Sequence, residues 1–169
     1  LARKVLLGDS LDEQKSRVND YEEFLGQTLG EALLEPTRIY VQPIMEMLDK
    51  EIDLKAMVHI TSGGFCNLNR VACDGIRFVI DRLQPVPEIF NLIQDRGGVS
   101  EAEMFEVFNM GTGFCLVVEG IKEVEAISEI CKAYDLPCQV IGQIEASQDK
   151  EVCLPTKQLI GKGSKFKVS

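Results

Sequence analysis

The chain lacks tryptophan and holds one histidine, His59. A single imidazole cannot complete a zinc-finger pattern, and none of the six cysteines forms Cys-x-x-Cys. No apolar run approaches the roughly 20 residues of a membrane-spanning helix. The first residues lack the basic, apolar, small-residue order of a signal peptide. No Gly-x-x-x-x-Gly-Lys-Ser/Thr loop is present, and no paired acids suited to magnesium stand near the glycine-rich turns. Positive charge is scarce as well. The net charge of −9 excludes a general nucleic-acid binder, which needs a basic face for phosphates. No segment repeats another.

The 169 residues are 45% hydrophobic and 27% charged, the profile of an ordinary globular domain. Such a chain buries roughly 70% of the surface its unfolded form exposes, enough for a core without disulfides. The six cysteines, Cys66, Cys73, Cys115, Cys131, Cys138 and Cys153, stand mostly in apolar runs and read as free, buried thiols in a reducing cytoplasm. Residues 1–155 are expected to form the domain. Residues 155–169 hold four lysines and no acid, and read as a solvated end or as a basic strap on a phosphate or an acidic surface. The helix pattern begins at Leu1 with no Ser, Thr, Asp or Asn to cap it, which reads as a chain cut from something longer.

Periodicity predicts a helix over 1–7, then a polar loop with a helical turn over 8–27, and a short apolar segment at 29–34. A helix is expected over 37–50, where Ile39, Pro43 and Met47 recur at helical spacing and Pro43 either kinks it or marks its first turn. Strands are expected at 54–60, 75–80 and 112–118, and a short helix at 64–71. Helices are expected at 87–94, at 101–108 behind the Ser100/Glu103 capping signal, and at 121–134. Residues 139–145 and 151–154 read as a terminal hairpin around Gln148-Asp149-Lys150. Interleaved helices and strands ending in a hairpin indicate α+β, a mixed β-sheet with helices packed against it.

Three stretches can carry chemistry. The first is His59-Ile60-Thr61-Ser62-Gly63-Gly64-Phe65, a strand end opening into a glycine pair, with Asn69-Arg70 behind it. The second is Asn109-Met110-Gly111-Thr112-Gly113, a polar glycine turn leading into a strand. The third is Pro36-Thr37-Arg38, read as a helix start. Alone, each has a plain structural reading as a turn, a satisfied histidine or ordinary capping. Together they offer backbone N–H groups and positive potential to phosphate oxygens if they meet in one crevice.

In these stretches the chain resembles the C-terminal half of the phosphoribosylformylglycinamidine cyclo-ligase (aminoimidazole ribonucleotide synthetase) family. The matching residues run in the family's order from Leu33-Leu34-Glu35-Pro36-Thr37-Arg38-Ile39-Tyr40-Val41 through His59-Ile60-Thr61, Gly63-Gly64 and Asn69-Arg70-Val71. They continue through Pro87-Glu88-Ile89-Phe90, Val99-Ser100 and Met104, and Phe108-Asn109-Met110-Gly111 with Gly113. The resemblance implies two α/β halves, with ATP and substrate in the cleft between them. It implies an N-terminal half that carries most of the nucleotide and Mg2+ chemistry and forms a homodimer. The reaction it implies is ATP-dependent closure of an imidazole ring. Carried onto this sequence, Gly63, Gly64, Gly111 and Gly113 would admit substrate or phosphate close to the backbone. Thr37, Arg38, Thr61 and Asn109 would supply side-chain hydrogen bonds, and His59 would polarise a group, move a proton or orient the turn. The family usually has a third glycine where this chain has Ser62; if that position needs φ > 0, serine costs about 1 kcal/mol or more there. Formylglycinamidine synthase, selenophosphate synthetase, thiamine-monophosphate kinase and a hydrogenase-maturation dehydratase share the fold. A non-catalytic regulatory or assembly module is the reading from a different class.

Overall fold

Two capping boxes organise the first part of the chain in the computed structural model, which describes residues 1–169. The Ser10 hydroxyl accepts from Glu13 N at 3.2 Å while the Glu13 carboxylate accepts from Ser10 N at 2.9 Å. The Thr28 hydroxyl and the Glu31 carboxylate make the same exchange at 3.3 and 2.8 Å. Each pair satisfies donors that a helix start leaves free. After α1 (Ala2–Leu7) come α2 (Leu11–Arg17), the small ribbon β1 (Tyr21–Glu22) and β2 (Gln27–Thr28), and α3 (Leu29–Leu34). The polar stretch expected to be mostly loop therefore contains a capped helix and a two-strand turn.

The next helix, α4, spans Val41–Asp49 and does not include residues 37–40. Pro43 explains the difference. It has no N–H to give to the carbonyl of Ile39, and its ring would collide with that carbonyl in a continuing helix. As the third residue of α4, Pro43 gives up only an N–H that no helix could satisfy. Thr37 and Arg38 thus lie on a non-helical segment.

Next come β3 (Ala56–His59), a 3-10 helix over Gly64–Arg70, β4 (Ile76–Ile80), α5 (Glu88–Gly97) and α6 (Glu101–Val107). The chain continues through β5 (Phe114–Val117), α7 (Ile121–Ala133), β6 (Gly142–Ala146) and β7 (Val152–Leu154). It ends in β8 (Leu159–Lys162) and β9 (Lys165–Val168). One mixed sheet has the order β6-β4-β7-β8-β9, and β3 and β5 pair antiparallel as a separate ribbon. The fold is α+β with a mixed sheet. No helix is long and apolar enough to cross a membrane.

The expected hairpin of 139–145 and 151–154 does not form. β4 lies between its two arms, antiparallel to β6 from Ile76↔Ala146 to Ile80↔Gly142 and parallel to β7 at Phe78↔Val152. The reason lies in Val152, Cys153 and Leu154, which are all buried. A strand apolar on both faces needs neighbours on both edges and cover on both faces.

Residues 155–169, expected to be a solvated end or a strap, continue this sheet as β8 and β9. Phe166 is buried, and its N–H donates to the Glu106 carboxylate at 2.7 Å. Lys165 and Lys157 pair with Glu106 and Glu101 of α6 at 2.8 and 2.6 Å. Asn69 Nδ2 donates to the carbonyls of Gly161 and Gly163 at 3.3 and 3.2 Å. The acidic surface under the basic end is the chain's own α6, and it occupies part of an otherwise open sheet edge.

The main core joins Phe65, Leu68, Met104, Phe105, Val152 and Leu154. A second cluster packs Met47 of α4 against Ile127, Ile130 and Cys131 of α7. The β3–β5 ribbon separates the two. Val58 and Cys115 belong to the main core, while Leu116, on the alternate face, packs on the second cluster.

Glu106→Ala removes a carboxylate that holds a backbone donor and an ammonium. It should cost about 2 kcal/mol, the scale of hydrogen bonds to a charged group. Urea unfolding measures the loss, and amide exchange at Phe166 should accelerate while exchange in β4 lags behind it. Unchanged exchange at Phe166 would contradict this role for Glu106.

Candidate functional site

The register of β3 on β5 builds the site. His59, the last residue of β3, stands opposite Phe114, the first of β5, and Ile60 N donates to the Gly113 carbonyl at 2.9 Å. The turn after β3 and the turn before β5 therefore occupy the same end of one ribbon. The two glycine turns of the sequence meet. The 37–40 segment reaches them through Tyr40, whose ring lies 5.8 Å from His59 and 5.1 Å from Phe114 between centroids.

In the first turn Gly63 has φ +102° and Gly64 φ +51°, a region that favours glycine. Ser62 is not among the residues at positive φ, so serine at that position is unstrained. Gly64 N donates to the Thr61 carbonyl at 2.9 Å. The amides of Ser62, Gly63 and Phe65 donate to no carbonyl. Buried Asn67 braces the turn from behind, its Nδ2 donating to the carbonyls of His59 and Thr61 at 3.4 and 3.5 Å. A Cβ on Gly63 would lie 3.8 Å from a guanidinium nitrogen of Arg70. Arg70 forms no ion pair within the chain, so its charge is available at this turn.

In the second turn Asn109 Oδ1 accepts from Gly111 N at 3.0 Å, so its side chain organises its own loop. Met110, at φ +48°, and Gly111, at φ +91°, reverse the chain. Thr112, whose buried hydroxyl has no hydrogen-bond partner, lines a cleft of about 900 Å3. Such an orphaned hydroxyl is costly unless something else pairs with it. Arg38, Tyr40, Gly111 and Gly113 line the same cleft. Arg38 makes no ion pair. Burial pushes the Tyr40 hydroxyl above its ordinary pKa against a smaller opposing pull from Arg38, which keeps it a neutral donor.

The candidates therefore divide. Arg38, Gly111 and Gly113 line the cleft directly. Gly63, Gly64, Thr61 and His59 lie at the same ribbon end across the Tyr40 and Phe114 rings. Thr37 is exposed and makes no side-chain hydrogen bond. The His59 ring packs against Tyr40 and Phe114 and makes no ion pair with a carboxylate that would orient it as an acid or base. Burial drives the Cys115 thiol up to about 12 and Cys66 up to about 11, which leaves both as neutral core residues. No three His, Cys, Asp or Glu side chains gather where they could hold a metal ion. Tyr40, Arg70 and Thr112 escaped the sequence reading as site residues. Tyr40 was assigned to a helix, and nothing in the order of residues marks Thr112 as the hydroxyl without a partner.

All four glycines also have reasons in the chain's own packing: a Cβ would lie 2.8 Å from Asn67 Oδ1 at Gly63 and 2.6 Å from Pro87 Cδ at Gly111. A Cβ on Gly64 would strike the Phe105 carbonyl oxygen and lie 2.9 Å from that of Phe108, both backbone atoms that cannot swing aside. A Cβ on Gly113 would strike the Tyr40 hydroxyl. Gly64→Ala should therefore cost at least about 2 kcal/mol, combining overpacking with left-handed strain. Gly163→Ala, at φ +60° with open space around it, should cost about 1 kcal/mol. Urea midpoints of the two variants check the order, and equal losses would contradict the close approach of α6.

Comparison with known proteins gives the same outline. A family described as "AIR synthase related protein, C-terminal domain" matches residues 1–154. A protein of Methanocaldococcus jannaschii named phosphoribosylformylglycinamidine cyclo-ligase is 44% identical over 146 residues, 85% of this chain and 39% of the relative. A Methanococcus maripaludis protein of the same name is 42% identical over 147 residues, 87% of this chain and 40% of the relative. One from Carboxydothermus hydrogenoformans is 40% identical over 153 residues, 90% of this chain and 43% of the relative. The chain thus spans about 40% of the length of the curated relatives it matches. The chain belongs to the AIR synthase related protein family, as its C-terminal domain.

Proposed function

We propose that this chain is the C-terminal domain of an ATP-dependent cyclo-ligase of de novo purine biosynthesis. The complete enzyme would close the imidazole ring of formylglycinamidine ribonucleotide and release aminoimidazole ribonucleotide, ADP and phosphate. The observation that carries the reading is the meeting of two glycine turns and the Arg38–Tyr40 segment at one ribbon end, in a chain 40–44% identical to proteins named for that reaction. ATP supplies the phosphoryl group that makes the formamide oxygen a leaving group; the amidine nitrogen then closes the ring.

The chain's own groups suit the binding side of that chemistry. The amides of Ser62, Gly63 and Phe65, with the guanidinium of Arg70, present donors and positive charge suited to a phosphate of the ribonucleotide. Arg38, Tyr40 and Thr112 line the cleft, where they would hold and orient the polar groups of the substrate. Asn109 keeps its loop in shape, and His59 acts as an organiser packed on Tyr40 and Phe114. No three acids, thiols or imidazoles of this chain gather around one point, and the ligands of Mg2+ are proposed to lie in the further length carried by the relatives. The same assignment makes that N-terminal half the first partner of this domain. The complete enzyme is proposed to be a cytoplasmic homodimer with a small-molecule nucleotide substrate and no role for nucleic acid or membrane.

Two measurements test the reading. This chain alone should release no ADP. Mixed with the remaining N-terminal portion of the M. jannaschii relative, it should release ADP only when formylglycinamidine ribonucleotide is present. Turnover with selenide or thiamine monophosphate in its place would move the chain to another branch of the fold, and no turnover with any of them would favour an assembly module. Thr112→Val replaces an unpaired buried hydroxyl by a methyl group of similar shape. It should leave stability unchanged or raise it by up to about 1 kcal/mol, while KM for the ribonucleotide in the reconstituted enzyme rises about tenfold or more. A destabilised variant with unchanged KM would remove Thr112 from the site.

A further inference from the structure

We infer that Cys131 and Cys138 form a dithiol in the wall of the cleft, which a small-molecule disulfide such as oxidised glutathione converts into an intramolecular disulfide. The inference does not rest on the reaction proposed above.

Its basis is local geometry. Cys131 lies in the last turn of α7, two residues before the helix ends at Ala133. The Tyr134 and Leu136 amides both donate to the Cys131 carbonyl, at 3.1 and 2.9 Å, and Asp135 adopts φ +52°. The chain therefore reverses tightly around Cys131, and Pro137 limits its freedom as it returns. This return carries the chain back beside Cys131, so that the Cys138 thiol bears on that of Cys131. Both residues line the cleft beside Leu136. The other four cysteines have no such neighbour. Cys66, Cys115 and Cys153 are buried singly, and Cys73 is exposed and alone.

The two thiols differ in a way that sets the order of events. Cys138 is exposed and Cys131 is buried. Burial, reinforced by the neighbouring thiol, pushes Cys131 up to about 12. Oxidised glutathione reaches the exposed thiol before the buried one, so Cys138 reacts first. Cys138 sulfur attacks one sulfur of oxidised glutathione, forming a mixed disulfide and expelling one glutathione thiolate. Cys131 sulfur then attacks the Cys138 sulfur, forming the intramolecular bond and expelling the second glutathione. The two cysteine thiols lose two electrons and two protons, and one glutathione disulfide becomes two thiols. The loop closed runs from 131 to 138 and ties the end of α7 to the irregular segment leading into β6, both of which line the cleft.

Cys73 provides the internal control. The full chain is incubated with oxidised glutathione, alkylated and digested with trypsin. The expected products are Cys73 carrying glutathione and peptide 123–132 linked to peptide 133–150, with the linked pair 2 Da lighter than its two free peptides. In Cys138→Ser the linkage should vanish and Cys131 should remain unmodified. In Cys131→Ala, Cys138 should accumulate as the mixed disulfide with glutathione. If wild-type Cys138 stays glutathionylated, or both thiols stay free while Cys73 reacts, the proposed pair is wrong.

Discussion

The antiparallel register of β3 on β5 is the constraint on which the site depends. His59 opposite Phe114 means that the strand running into the first glycine turn and the strand running out of the second share one end. The Ile60–Gly113 hydrogen bond locks that end one residue beyond the ladder. A slip by one residue would exchange the faces of β5, turning Cys115 from the main core toward α4 and α7 and Leu116 the other way. Burial on both sides of the ribbon therefore protects the register. Two cores, instead of one, hold two loops in place.

Around this joint the same residues serve packing and the proposed binding. Gly64 lets the 3-10 helix approach the backbone of α6, and α6 in turn anchors the last strand through Glu106. Gly113 admits the Tyr40 hydroxyl, which brings the Arg38 segment to the cleft. The first turn is thereby braced from behind by Asn67 and α6, while the free amides of Ser62, Gly63 and Phe65 remain unspent on the protein's own carbonyls. Rigid support with unsatisfied donors is the arrangement that preorganised anion recognition requires.

The α+β class, the order of most elements and both glycine turns were legible in the sequence, because apolar periodicity and paired glycines are local signals. Misreadings arose where the deciding partner is distant. Val152-Cys153-Leu154 resembled the arm of a hairpin, and only β4 on one side and β8 on the other explain a strand buried throughout. Lys157 and Lys165 looked solvated because Glu101 and Glu106, their partners, lie more than fifty residues away. Pro43 is a local signal, but its exclusion of residues 37–40 from the helix is what makes Tyr40 the link between Arg38 and the turns. Ser62 drew attention as a departure from the family pattern, yet the left-handed turn begins at Gly63, one residue later. Thr112 is a different case: an unpaired hydroxyl is defined by what surrounds it, and no order of residues announces it.

The central claim is that the two glycine turns form one ligand-binding unit. A titration of the chain with ribose 5-phosphate, followed through backbone amide chemical shifts, tests it most directly. The account predicts that amides of residues 61–65 and of residues 110–113 move together and fit one dissociation constant. Shifts confined to one turn, or two turns saturating at different concentrations, would contradict it.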